Sequence, residues 1–455
     1  MRSVGLFLAA LTAAALARAD PAPLPLDPEI AKIVSEISAE RIQRSIFVLA
    51  SFKTRHTLSD PSPSGDGIGG AASWIRAEFE RASAASGGRL HVALDEFRQA
   101  PQAPRLPRPA KIVNVVATLP GSLPGSDKRI YVVSGHYDSR ARNILDAGSP
   151  APGANDDASG VAAVLEMARV MASREFPATI VFMAVAGEEE GLFGSTHWAG
   201  DARLKGLDIA GMFDNDIIGN SRAADGSVDA HTVRLFAQGV PPEAKLDDGM
   251  VALIRSGGEN DTPARELARA VRDISARYMP SMDVRIIYRG DRYLRGGDHL
   301  PFLARGYPAL RFTEAAEDYH HQHEDVRVEN GVAYGDTTDF LDFAYAADVA
   351  RVNAASLASL ARAPAPPREV QIETAKLQYD TTLRWAPNTE ANLAGYRIVW
   401  RETTSPFWEH AQDVPKDVTR ITLGLSKDNL IFGVEAFDTA GHVSPAVYPA
   451  ARLTL

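Results

Sequence analysis

The segment Gly187-Glu188-Glu189-Glu190-Gly191-Leu192 follows directly on the apolar run 178–186. Carboxylates at the end of a buried strand must take up protons or face cations. Two further strand ends are acidic, His136-Tyr137-Asp138 and Asp214-Asn215-Asp216, and Asn155-Asp156-Asp157 stands before a helical stretch. Acids recurring at such places favour the cation reading, and with it metal-assisted hydrolysis. The chain has no cysteine, which excludes thiolate metal sites, cysteine nucleophiles and disulfides. Any metal must be held by His and carboxylate, a donor set that suits zinc, cobalt or manganese.

Each cluster also has a plainer account. His136 lies in Ser134-Gly135-His136-Tyr137-Asp138-Ser139, where Asp138 can accept the second ring N–H and fix the tautomer. In Gly153-Ala154-Asn155-Asp156-Asp157-Ala158-Ser159-Gly160 the Asn, Asp and Ser are ordinary N-cap residues. A loop carboxylate there is nevertheless well placed to bridge two ions. Adjacent Glu188 and Glu189 cannot turn the same way from an extended backbone, which suits one as ligand and the other facing water. Glu190 reads as a solvated surface residue, and only one of Asp214 and Asp216 need be a ligand. The tract Asp318-Tyr319-His320-His321-Gln322-His323-Glu324-Asp325 holds three of the chain's 11 His. Such a tract also reads as nonspecific metal binding. Gly297-Asp298-His299 is a further acid–His pair, equally a loop hydrogen-bond device. Ser139 and Ser159 lack a G-x-S-x-G strand-to-helix elbow, which argues against a serine hydrolase.

Alternating strands and helices must carry these residues. Helical periodicity spans 27–52, a polar loop 57–70 and a second helix 71–85. Strand-like runs follow at 90–97, 112–119, 129–134, 178–186, 207–213, 233–236, 284–288 and 307–312. Helices are expected at 160–171, from the Asn260-Asp261-Thr262-Pro263 start to about 278, and at 338–360. The alternation predicts an α/β three-layer sandwich with a central mixed, mostly parallel sheet. In such sheets sites gather at the carboxyl ends of strands, where these acids lie.

Composition shifts at 361–368, a proline-rich stretch that reads as a linker. Beyond it, short strands at 382–385, 395–401, 420–423 and 430–437 predict an all-β immunoglobulin-like sandwich over 369–455. At the other end, 1–19 reads as a secretory signal. Arg2 supplies the positive end, 4–16 the short apolar region and Ala17-Arg18-Ala19 the cleavage pattern. The mature chain would start near Asp20 and be secreted or periplasmic, with no transmembrane span. The net charge of −10 argues against a nucleic-acid or anionic-membrane partner.

Taken in order, G-H-x-D at Gly135, G-x-x-D-D-x-S-G at Gly153, paired Glu, the Asp216 strand end and a late His resemble the M28 family of dinuclear zinc peptidases. The resemblance covers most of 30–360 and implies an aminopeptidase acting on peptide substrates with two zinc ions. It implies that His136 binds one zinc, Asp156 bridges both, Glu188 is the general base and Glu189 binds the second zinc. Asp216 would share the zinc of His136, and the late His would join Glu189. That His typically stands four residues before an Asp, a spacing met by His321 and Asp325, so His321 is the expected ligand. His320 would then neighbour the substrate oxyanion and His323 would be a pocket or surface residue. Asp214 stands where the family usually has Asn, and Tyr319 is one residue further back than expected. Two rival readings are a single-zinc glutaminyl cyclase and a non-catalytic receptor-like protein. Neither needs the full set of His136, Asp216 and Glu188. The 369–455 segment resembles a fibronectin type III module, which implies a spacer or contact with a surface or polymer.

Overall fold

Burial on both faces distinguishes the strands that build the centre of the molecule. The computed structural model describes residues 24–240, 248–293 and 295–451. Its main sheet contains β1 (His91–Gln99), β2 (Ala110–Leu119), β3 (Arg129–His136), β4 (Thr179–Val185), β5 (Asp208–Asn215), β6 (Thr232–Phe236), β7 (Asp283–Ile287) and β8 (Ala309–Glu314). Their order is β1-β2-β4-β3-β5-β8-β6-β7. The middle strands β4, β3, β5 and β8 are parallel, while β1, β2 and the β6–β8 pairing are antiparallel. Every residue of β4 is buried, as a continuous Val/Ile/Phe/Met run requires when both faces are covered.

Side-chain alternation sends the two faces into separate cores. Tyr131 and Val133 of β3 and Ile180, Phe182 and Ala184 of β4 enter one; Val132, Val181, Met183 and Val185 enter the other. The first core is covered by α1 (Pro28–Glu36), α2 (Ala39–Ser51), α3 (Ile68–Ala85) and α4 (Ala158–Met171). Two short elements, α5 (Glu188–Gly191) and α6 (Phe193–Leu204), follow β4, and α6 covers the second core. The remaining helices are α7 (Asp248–Arg255), α8 (Pro263–Tyr278), α9 (Leu300–Leu303) and α10 (Phe343–Arg362). α8 and α10 lie on the first core and α9 on the second, which completes three layers. A small hairpin, β9 (Arg327–Glu329) and β10 (Val332–Tyr334), was not foreseen.

The single helix expected over 27–52 is two helices. The chain leaves helical geometry at Ile37 and restarts at Ser38, whose hydroxyl accepts from Arg41 N and whose N–H donates to buried Glu166. An N-cap in the middle of an unbroken apolar period overrides the period.

The C-terminal part contains β11 (Arg368–Ile372), β12 (Asp380–Ala386), β13 (Leu393–Glu402), β14 (His410–Pro415), β15 (Arg420–Ser426), β16 (Leu430–Asp438) and β17 (Ala450–Ala451). They form two sheets, β15-β12-β11-β17 and β14-β13-β16. Leu383, Trp385, Tyr396, Ile398, Trp400 and Phe432 fill the space between them. The stretch 361–368 is shorter as a connection than its composition suggests, because α10 runs to Arg362 and β11 starts at Arg368. The expected signal at 1–19 lies outside the described residues. No described helix is long and apolar enough to cross a membrane.

The two parts share a buried ionic contact. Asp261 accepts from Arg401 Nη2 at 2.6 Å and Arg269 Nη1 at 3.1 Å, and Trp408 Nε1 donates to Glu266 at 3.0 Å. Both arginines are almost fully buried. Asp261→Ala would leave buried Arg401 without its carboxylate, while Arg269 keeps Glu266, a change expected to cost about 3–5 kcal/mol. Denaturant unfolding at neutral pH checks it, and a loss below about 1 kcal/mol, the range of exposed pairs, would contradict the arrangement.

Candidate metal centre

Four neighbouring parallel strands deliver the acidic clusters to one edge of the sheet. His136 is the last residue of β3, Glu188 and Glu189 follow β4, Asp216 follows β5, and Glu314 ends β8. Asp156 arrives from the loop before α4. Gly160 allows this loop to pack closely, since a Cβ there would collide with the Asn215 carbonyl and the Asp157 carboxylate.

Two donor triads result. His136, Asp156 and Asp216 form one, and Asp156, Glu189 and His323 form the other, with the ligand atoms of each within 4.8 Å of one another. Asp156 belongs to both. Its Oδ1 is 3.0 Å from His136 Nε2, and its Oδ2 is 3.0 Å from His323 Nε2. Asp216 Oδ1 stands 3.9 Å from His136 Nε2, and Glu189 Oε1 stands 3.2 Å from His323 Nε2. These atoms are close but poorly aligned with one another: buried His136 Nε2, Glu189 Oε1 and Asp216 Oδ1 make no hydrogen bond. Orphaned buried polar atoms are rare, and orphans that converge from several elements fit a cation as the common partner. The all N/O donor set is one that zinc accepts.

Neighbouring groups fix the ligands. Asp138 accepts the backbone N–H groups of Glu188 at 3.3 Å and Glu189 at 3.1 Å, which aims the paired glutamates. His136 Nδ1 faces the Asp138 backbone carbonyl at 3.1 Å, with its carboxylate at 3.6 Å, so the carbonyl rather than the expected carboxylate sets the ring. Asp157 caps α4 through Gly160 N at 2.9 Å and accepts from His136 N at 3.0 Å. Asp336 accepts both Asn155 N and Asp156 N at 2.7 Å, and burial pushes it up to about 7. Buried Arg311 lies 3.0 Å from Asp216 Oδ2. Neither Asp336 nor Arg311 stood in an acid-rich or His-rich cluster, so neither gave a sequence signal.

The electrostatics describe a cage that holds either protons or cations. Burial, with help from nearby Asp156 and Asp214, raises Asp216 to about 6 although Arg311 and His136 oppose it. Burial opposes a charge on His323, but Glu189 and Asp156 outweigh it and raise the ring to about 9. Removal from water, and then Asp216 and Glu189, raise Glu188 well above the ordinary carboxylate range, with His136 working the other way. A divalent ion would displace such protons, so its binding must release them.

Two expectations are corrected. The late residue beside Asp156 and Glu189 is His323, not His321. His321 turns away, its Nδ1 2.9 Å from the Gly335 carbonyl and its ring stacked on Phe340 with centroids 3.9 Å apart. His320 is held by Asp318 at 2.7 Å. His323 reaches the site because its backbone is left-handed, with φ of 54°, a conformation rare outside glycine. Glu190 is not a solvated residue: it is 1% exposed, bonds the Thr57 hydroxyl and stands 3.1 Å from His56 Nε2. Asp214 and the Asp298-His299 segment are buried and belong to neither triad, with His299 Nδ1 3.2 Å from Asp214 Oδ2.

Comparison with known proteins points the same way. Residues 114–341 match the description Peptidase family M28. A probable zinc metalloprotease of Leptosphaeria maculans is 48% identical over 94% of this chain and 98% of its own length. Another, of Pyrenophora teres f. teres, is 46% identical over 94% of this chain and 88% of its own. Among solved structures, the Legionella pneumophila LapA aminopeptidase superposes with a TM-score of 0.51 at 19% identity, covering 76% of this chain and 78% of that one. It shares the fold. The likeness at 48% over nearly all of both chains, joined to the matched core of the catalytic sheet, makes this chain a member of peptidase family M28.

Proposed function

We propose that this chain is an exported zinc aminopeptidase that holds two ions. His136, Asp156 and Asp216 would bind one and Asp156, Glu189 and His323 the other. The observation that carries this reading is the pair of triads sharing Asp156, with Glu188 lining the same cleft. When bound, the ions supply Lewis acidity toward a peptide carbonyl and toward water. Glu188 takes the proton of the attacking water on its carboxylate and returns it to the leaving nitrogen. Arg311 and Asp138 keep Asp216 and the paired glutamates in place during that transfer. Both triads are complete, which favours hydrolysis over a single-ion cyclase and over a non-catalytic relative.

The test is removal and return of metal from the full-length protein. Chelation is expected to abolish cleavage of free-amine peptides. Zinc should restore it, with about two ions per chain by mass spectrometric metal analysis, the count a two-metal site requires. Restoration at one ion per chain would overturn the dinuclear reading. Equal cleavage of N-acetylated and free-amine peptides would overturn the aminopeptidase reading. An exported product beginning at Met1 rather than near Asp20 would overturn signal processing.

A further inference from the structure

Arginine lines the catalytic cleft beyond what the carboxylate cage can use. The cleft, of about 430 Å³, is bounded by Arg105, Arg140, Arg292, Arg295 and Arg311 together with the site acids. Arg311 is committed to Asp216 and Asp291, and Arg292 to Asp291 and Glu317. Arg105, Arg140 and Arg295 form no ion pair among the described residues. Arg140 donates only to the carbonyls of Ala141 and Arg142, at 3.1 and 2.9 Å. Asp156, Glu188, Glu189 and Asp216 carry four negative charges at most, which two divalent ions already match. Three further guanidinium groups are thus left without a carboxylate partner among the described residues, on a chain whose own net charge is −10.

Among the described residues that line the cleft, Leu192 and Ile217 alone are aliphatic, so a large aliphatic side chain would find few partners of its own kind. A guanidinium fork matches a carboxylate with two parallel hydrogen bonds, which an ammonium cannot do. Arg292 and Arg295 also border a second groove of about 420 Å³ with Arg289, Tyr293 and Tyr319. Arg289 lies 3.9 Å over the Tyr293 ring, and the two tyrosines are 79% and 59% exposed. The cationic lining thus continues outward from the cleft along a surface of exposed rings.

We propose that this cleft selects peptides bearing a carboxylate within a few residues of the scissile bond. Arg105, Arg140 and Arg295 bind that carboxylate, and the Arg289–Tyr293 groove receives the residues that follow. The proposal rests on the peptidase reading and deepens it. The carboxylate comes from an acidic side chain or from the free C-terminus of a short peptide.

Matched hexapeptides that carry Asp and Glu, or Asn and Gln, at their second and third positions separate these sources when each is made with a free and an amidated C-terminus. In the zinc-loaded full-length protein, kcat/KM for the acidic peptides should exceed that for the neutral ones by at least about tenfold, as charged hydrogen bonds of this kind allow. The ratio should fall toward one in the Arg140→Gln, Arg295→Gln double variant and with rising salt. A preference that follows the free C-terminus alone assigns the arginines to the terminal carboxylate. Calorimetric titration with hexaglutamate, against hexaglutamine, reads the same site without turnover. Binding confined to hexaglutamate and lost in the double variant supports the proposal. A cleavage ratio near one with no difference in binding overturns it. Selective hexaglutamate binding by a protein that cleaves no peptide overturns the peptidase reading and leaves the carboxylate site standing.

Discussion

Glu188→Gln is expected to retain its metal and lose turnover by roughly a hundredfold to ten-thousandfold, the usual contribution of a general base. The carboxamide keeps the size of the side chain and can still hydrogen-bond, but it cannot take up a proton. Glu188 belongs to neither donor triad, although it lines their cleft, so both metal sites keep their ligands. Glu189→Gln should behave in the opposite way, because Glu189 faces His323 in the second triad. Asp138 pins both backbone N–H groups at the start of α5, and both side chains line the cleft, but only Glu189 joins a triad. The check is kcat together with metal content on the same preparations. A Glu188→Gln protein that loses an ion while Glu189→Gln keeps two would exchange the two roles.

Much of this arrangement is legible in the sequence. Acids and His at the ends of apolar runs are costly unless they share a purpose, and the sheet does bring His136, Asp156, Glu189 and Asp216 together. The order of the strands was not legible, since periodicity describes faces and not neighbours. The break at Ser38 was hidden because the apolar period runs through it while the cap is a single hydroxyl. Glu190 was misread for a related reason. Its partners His56 and Thr57 lie far away in sequence, in a loop that carries no acidic or helical signal. The supporting residues Asp336 and Arg311 are likewise single polar residues whose meaning comes only from what they touch. β11, β14 and β17 are short, polar or edge strands, and their pairing rather than their composition defines them.

The late histidine carries the second large expected effect. His323→Ala should lose one of the two ions, with affinity for that ion reduced by more than about a hundredfold, the upper range for residues that merely support a ligand. Activity should fall with it. His323 stands 3.0 Å from Asp156 and 3.2 Å from Glu189, so its removal leaves two carboxylates to share a cation without the neutral donor. His321→Ala should keep full metal loading. That substitution removes a ring stacked on Phe340 and the bond to the Gly335 carbonyl, so its cost is stability, of about 1–2 kcal/mol. The spacing from His321 to Asp325 counted residues along the chain. The backbone at His323 is left-handed, and that turn rather than the count decides which imidazole faces the site. A substitution that keeps the stack but not the hydrogen bond is informative too. His321→Phe preserves the stack on Phe340 and should load two ions like the unaltered protein. Metal analysis of the three variants, alongside their unfolding curves, separates ligand from support: loss of an ion in His321→Ala or His321→Phe, with full loading in His323→Ala, would reverse the assignment.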